Sequence, residues 1–222
     1  MARTMIHHEE KKHDIICIAL NEFMMRGYEQ TTINHIMKAA GISKGALYHY
    51  FSSKEQILDS VMEDLMANEI ARLQSLIADP ALSGCDKLIR LLAAGVQKPE
   101  DLERVLENYR RIRNSMFHYR LQEESMLATA RIFTAVIAEG AECGEFHLVS
   151  PPAILGECIA GVLQTMVTAT ESEYGDVNDL DDRVEMFIRM LAWGLGVDYG
   201  TFSGVGNSLY EQILIYRGCR YS

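Results

Sequence analysis

Three residues, Gly41-Ile42-Ser43, separate two amphipathic stretches and leave little freedom in how the flanking helices can be joined. Upstream, Ile33, Ile36, Met37 and Ala40 recur at helical spacing. Downstream, Leu47, Tyr50 and Phe51 do the same. A glycine that closes one helix, followed at once by a serine that caps the next, forces a steep crossing of the kind found in a helix-turn-helix. In that arrangement the second helix lies in the major groove and offers its N-terminal residues to the bases. Those residues are Ser43, Lys44, Gly45 and Ala46. None is a large apolar plug; Gly45 costs a helix about 1 kcal/mol against alanine, and a close approach of DNA is one reason to keep it. Tyr48 and His49 fall opposite Leu47 and Phe51 and carry donors suited to phosphate. Lys54, in the first turn of the following helix, joins an ammonium to a positive helix end and predicts an anion site.

The surrounding sequence supplies the scaffold. Ile16, Ala19, Leu20 and Phe23 predict a first helix that Gly27 stops. Thr31 and Thr32 offer N-cap oxygens for the second. Ser53 with Gln56 predicts a capping box for a fourth, whose Leu58, Val61, Met62 and Leu65 carry it into the seventies.

Charge is distributed in the same sense. The chain of 222 residues has a net charge of -10. Residues 1–55 nevertheless hold seven basic against six acidic side chains, so the remainder carries -11. Five of the seven histidines also lie there. A polyanion-binding end on an acidic body fits this field. Taken on spacing and charge alone, a plain packed helix pair stays open beside the DNA-binding reading.

The run from Gly27 to Glu55, GYEQTTINHIMKAAGISKGALYHYFSSKE, resembles the N-terminal domain of TetR-family transcriptional regulators. It matches the family pattern G-Y-x-x-T-T, then A-x-x-A-G-V-S-K-G-x-L-Y-x-Y-F-x-x-K-E. Met37 stands where alanine is usual, and Ile42 replaces valine. The resemblance implies that Thr32 bonds a phosphate and that Lys44 and Gly45 face base edges. It further implies that Ser43, Tyr48 and His49 hold the DNA backbone, that Lys54 clamps a phosphate, and that Leu47, Tyr50 and Phe51 are core. The expected fold is all-α: a three-helix DNA-binding domain with the helix-turn-helix over residues 1–55, then a helical-bundle ligand-binding and dimerisation domain over 56–222.

In the body, apolar periodicity predicts helices near 83–97, 99–113, 117–142, 151–172 and 179–197, with a short one near 207–217. Phe133 to Phe146 resembles a helix end usual in the family, with Gly144 as stop. The helices 151–172 and 179–197 are apolar on more than one side, which predicts burial on two sides: a core and a second copy of the chain. Leu155, Ile159, Val162, Met166, Phe187, Met190 and Leu191 are the expected interface of a homodimer. Tyr109, Arg113, Met116, Phe117, Tyr119 and Arg120 could line a pocket for a small-molecule effector, with aromatic walls and a cationic anchor. A solvated arginine face over a core is the alternative.

Other classes are poorly served. There is no H-E-x-x-H, P-loop or dinucleotide fingerprint, so no enzyme is expected. Five scattered cysteines form no C-x-x-C, and no metal or cofactor is expected. The longest stretch without charge, Cys158 to Thr170, is too short and too polar for a membrane span, and no secretory core is seen at the N-terminus. A soluble cytoplasmic regulator is the expectation. As a repressor it would bind a double-stranded palindromic operator as a dimer and be released by a small molecule bound in the helical body or, alternatively, be controlled by a protein partner with no small-molecule inducer.

Overall fold

In a computed structural model of the chain, the structure describes residues 2–96, 116–169, 179–202, 204–206 and 209. Among these every regular element is helical. The order is α1 (Ala2–Arg26), α2 (Ile33–Ala40), α3 (Lys44–Tyr50), α4 (Lys54–Leu76), α5 (Gly84–Val96), α6 (Met116–Glu142), α7 (Pro152–Ala169) and α8 (Leu180–Leu195). A 3-10 turn, Tyr199–Phe202, follows. No helix among the described residues is long and apolar enough to cross a membrane. The helices predicted near 99–113 and 207–217 lie outside the described residues, apart from isolated positions at the second.

The chain forms two compact units. The first is closed by Ile15, Ile16, Ala19 and Phe23 of α1, Ile36 of α2, Leu47 of α3, Phe51, and Ile57, Leu58, Val61 and Met62 of α4. The α4 side chains extend this core past residue 55, where the sequence reading drew its boundary. Gly27 ends α1 with a φ of 77°. Its N–H donates to the Phe23 carbonyl at 2.8 Å. Only one of the two candidate threonines caps α2. Thr32 accepts the His35 N–H at 3.2 Å, while its own N–H donates to His35 Nδ1 at 3.3 Å. Thr31 is instead fully buried, and its hydroxyl donates toward the carbonyls of Gly27 (2.8 Å) and Glu22 (3.1 Å). It tacks the turn onto the end of α1. The expected capping box of α4 is shifted by one residue. Ser53 Oγ accepts the Gln56 N–H at 3.2 Å, but Gln56 Oε1 reaches back to the N–H of Ser52, at 2.6 Å.

The second unit gathers Leu88, Leu91 and Leu92 of α5, Phe133, Val136 and Ile137 of α6, Ile159 and Met166 of α7, and Val184, Phe187, Ile188, Leu191 and Leu195 of α8. Pro152 opens α7 at the first helical position, where a missing N–H costs nothing. Gly144 closes the turn after α6 as predicted, with a φ of 77°. The Glu145 N–H then returns to the Gly140 carbonyl at 2.8 Å. That turn aims the Glu145 carboxylate at the start of α5. There it accepts the N–H groups of Gly84 (2.6 Å) and Cys85 (2.8 Å). Burial alone would raise the Glu145 carboxyl; the two N–H donors outweigh it and hold the group below the usual range. Its contribution to stability is therefore present above the ordinary carboxylate pKa and lost as pH falls through the depressed one. Burial, and then the same carboxylate, push the Cys85 thiol up to about 12.

Candidate nucleic-acid interface

The turn between α2 and α3 is built as its three residues require. Gly41 sits at φ 63°, and the Ile42 N–H reaches back to the Met37 carbonyl at 3.1 Å. An L side chain at Gly41 would be strained, so the glycine fixes where α3 departs. Ser43 is extended and its Oγ accepts the Ala46 N–H at 3.2 Å. Leu47, with no exposed area, and Phe51 then lock α3 against the first core.

Locking that face presents the other. Ser43, Lys44, Gly45, Tyr48 and His49 are exposed, and Ala46 is half-buried. The Lys44 ammonium lies 5.7 Å from the centre of the Tyr48 ring, a loose contact that leaves it free to turn outward. A Cβ added to Gly45 would meet nothing within 4 Å. The fold itself therefore makes no use of that glycine, and the room it leaves opens to the outside. Thr32 is exposed at the start of α2. Its cap bond leaves the hydroxyl proton available for a phosphate.

Lys54 is put to a different use from the predicted phosphate clamp. Its ammonium donates to the carbonyls of Tyr28 (2.9 Å) and Thr31 (3.1 Å) and lies 4.0 Å from the centre of the Tyr28 ring. The physical reason is proximity: the α1–α2 turn brings the Tyr28 and Thr31 carbonyls to the first residue of α4. Lys54 thereby pegs the segment that launches the helix-turn-helix. Tyr28 stands in the family pattern without a role of its own, and His8 was not singled out. Tyr28 is buried, with its hydroxyl held away from solvent near Glu55, and burial first and then that carboxylate push the phenol well above its usual range. His8 packs against the rings of Tyr50, at 4.6 Å, and His49, at 5.5 Å. Tyr28 follows a glycine stop and has no periodicity that would mark it as core. His8 lies beyond the apolar pattern of α1.

In the second unit the expected interface residues divide. Ile159, Met166, Phe187 and Leu191 are buried within the protomer's own core. Leu155 and Val162 are half-buried, and Met190 is exposed. The apolar face left open instead carries Met186, Met190 and Trp193 on α8 and Ile154 on α7; Trp193 is 72% exposed. Periodicity shows that a helix has two apolar sides but not which side turns inward. An open cleft of about 410 Å³ lies beside this face, lined by Val162, Thr165, Met166, Asp182, Met186 and Met190 among others. Of the candidate effector residues, Tyr109 and Arg113 lie outside the described residues. Met116, Phe117, Tyr119 and Arg120 fall in the first turns of α6, and their side chains are likewise outside them.

Comparison with known proteins bears on the first unit most directly. Residues 15–61 match the family model described as bacterial regulatory proteins, tetR family. Over 90 residues the chain is 34% identical to the HTH-type transcriptional repressor KstR2 of Mycolicibacterium smegmatis. That match takes in 40% of this chain and 43% of the relative, so it spans less than half of the repressor's length. The crystal structure of a TetR-family transcriptional regulator from Pectobacterium atrosepticum superimposes with a TM-score of 0.65 at 23% identity. It covers 86% of this chain and 96% of that one. The transcriptional regulator FadR from Bacillus subtilis, in complex with stearoyl-CoA, superimposes with a TM-score of 0.55 at 21% identity, over 90% of this chain and 96% of that one.

Proposed function

We propose that the chain is a TetR-family repressor that binds a palindromic operator as a homodimer and is released by a small molecule held in its helical body. The observation that carries the reading is the split of α3 into a buried Leu47 and an exposed Lys44, Gly45, Tyr48 and His49 behind a fixed three-residue turn. Two such helices, about 34–36 Å apart, would meet successive major grooves on one side of a duplex.

Lys44 has the reach to bond guanine acceptors. Lys44→Ala should lower affinity for an operator selected from random duplexes by about 1–3 kcal/mol and leave affinity for unselected DNA nearly unchanged. Fluorescence anisotropy on both duplexes decides this. Equal losses would move Lys44 to the phosphate backbone.

The homodimer is supported by the strip Met186, Met190 and Trp193, spaced at i, i+4 and i+7 along an exposed helix face. Large apolar side chains in line are characteristic of a covered surface. A Trp193→Asp protein should sediment as a monomer and lose two-site operator binding while keeping its helical content. A wild-type chain that sediments as a monomer at micromolar concentration would overturn the dimer. The cleft beside this strip shares Met186 and Met190 with it, so it belongs to the subunit surface rather than to an effector. For the effector, the FadR complex with stearoyl-CoA shows a fold of this kind holding a small molecule. Acyl thioesters are therefore the first probes to try against an operator complex. Release by none of a broad small-molecule panel would favour control by a protein partner.

A further inference from the structure

Away from α3, four polar side chains form a chain across α1 and α4. Asn68 Nδ2 donates to Asp64 Oδ2 at 3.0 Å. The other oxygen, Asp64 Oδ1, lies 3.1 Å from His13 Nδ1. His13 Nε2 in turn lies 3.5 Å from Cys17 Sγ. His13 and Cys17 share a face of α1 because they are four residues apart, and Asp64 comes from α4. A neutral imidazole that gives its Nδ1 proton to the carboxylate turns the Nε2 lone pair toward the sulfur. Asn68 prevents the carboxylate from rotating away. Cys17 is exposed, so a reagent from solvent can reach it.

We propose that Cys17 is a base-assisted nucleophile for carbon electrophiles of the α,β-unsaturated carbonyl class, with His13 as its general base and Asp64 as the residue that positions the base. The step needs no oxidant. The sulfur forms a bond to the β-carbon as its proton passes to His13 Nε2. The π electrons of the carbon–carbon double bond move to the α-carbon, which then takes a proton from the imidazolium. The product is a thioether, and His13 is neutral again.

The surroundings explain why a base is needed. Burial, then the carboxylates of Asp64 and Asp14, push the Cys17 thiol above its ordinary value, so the sulfur stays protonated at neutral pH. The charged groups nearby on α1 are Asp14 and its partner Lys11, at 4.0 Å; the one on α4 is Asp64. Among the described residues, the charges acting on the sulfur are the two carboxylates, and no cation ionises it in advance. Proton removal must therefore accompany bond formation.

The full-length protein is treated with limiting acrylamide near neutral pH, and alkylation of each cysteine is followed by peptide mass spectrometry. Cys143, also exposed, is the internal reference. Cys17 should react about 100-fold faster than Cys143, the lower end of what a positioned base contributes. In His13→Gln the advantage should vanish, and the residual rate should climb with pH only as the thiol itself ionises. Asp64→Asn, nearly isosteric, should lower the Cys17 rate in part and leave Cys143 unchanged, which separates positioning from loss of fold. Cys17 reacting no faster than Cys143, or at the same rate in both variants as in the wild type, overturns the proposal.

Discussion

Replacing Lys54 with methionine should destabilise the first unit by about 2–3 kcal/mol and weaken binding to operator and unselected duplex alike. Two charge-assisted hydrogen bonds to the Tyr28 and Thr31 carbonyls disappear, along with the cation over the Tyr28 ring. The methionine keeps the length of the stem, so the loss isolates the ammonium. Denaturant titration reads the stability. A salt titration of duplex binding tells the peg from a phosphate clamp. Loss of a phosphate contact flattens the dependence of log affinity on log salt by about one unit. Loss of a peg lowers affinity and stability while the slope holds. A flattened slope with unchanged stability would restore Lys54 to the phosphates.

A Gly196→Ala protein should lose about 3 kcal/mol from the second unit. Gly196 has a φ of 66°, and an added Cβ would run into the carbonyl of His147. That contact lies beside two backbone bonds that tie the 147–149 segment to the end of α8: His147 N–H to the Leu195 carbonyl at 2.8 Å, and Val149 N–H to the Gly194 carbonyl at 3.1 Å. Left-handed strain alone costs about 1–2 kcal/mol, and moving His147 forfeits at least one hydrogen bond worth about 1 kcal/mol. Gly144→Ala is the natural control. It shares the positive φ, but its Cβ meets nothing within 4 Å, so it should lose only the strain. Thermal unfolding of the two proteins side by side checks the difference. Equal losses would mean that the His147 contact relaxes without cost.

What could be read in advance, and what could not, follows from the range of each interaction. Gly27, Gly41, Ser43 and Gly144 act within one turn of their own position, so their roles stand in the sequence. So do Leu47 and Phe51, because a short helix has one inward face. The carbonyl contacts of Lys54 were not legible because its partners lie 23 and 26 residues upstream, in a turn whose carbonyls carry no side-chain signature. Glu145 was not singled out as a helix cap for the same reason: it serves donors 60 and 61 residues away. On α7 and α8 the apolar positions were found, but Phe187 and Leu191 turned inward and Trp193 outward. A second apolar face breaks the rule that hydrophobic means buried within the protomer.

The reach of these contacts also sets an order of events during synthesis. Among the described residues, every member of the first core lies between Ile15 and Met66, so that cluster can begin to close once this short length has emerged. The start of α5 must wait for Glu145, and the core around it draws on positions as late as Leu209. Nearby partners collapse quickly and distant ones slowly. The nascent chain thus holds a finished reading head while its other half still shows bare leucines and phenylalanines to the cell. Truncated or stalled products are the species most exposed to clumping.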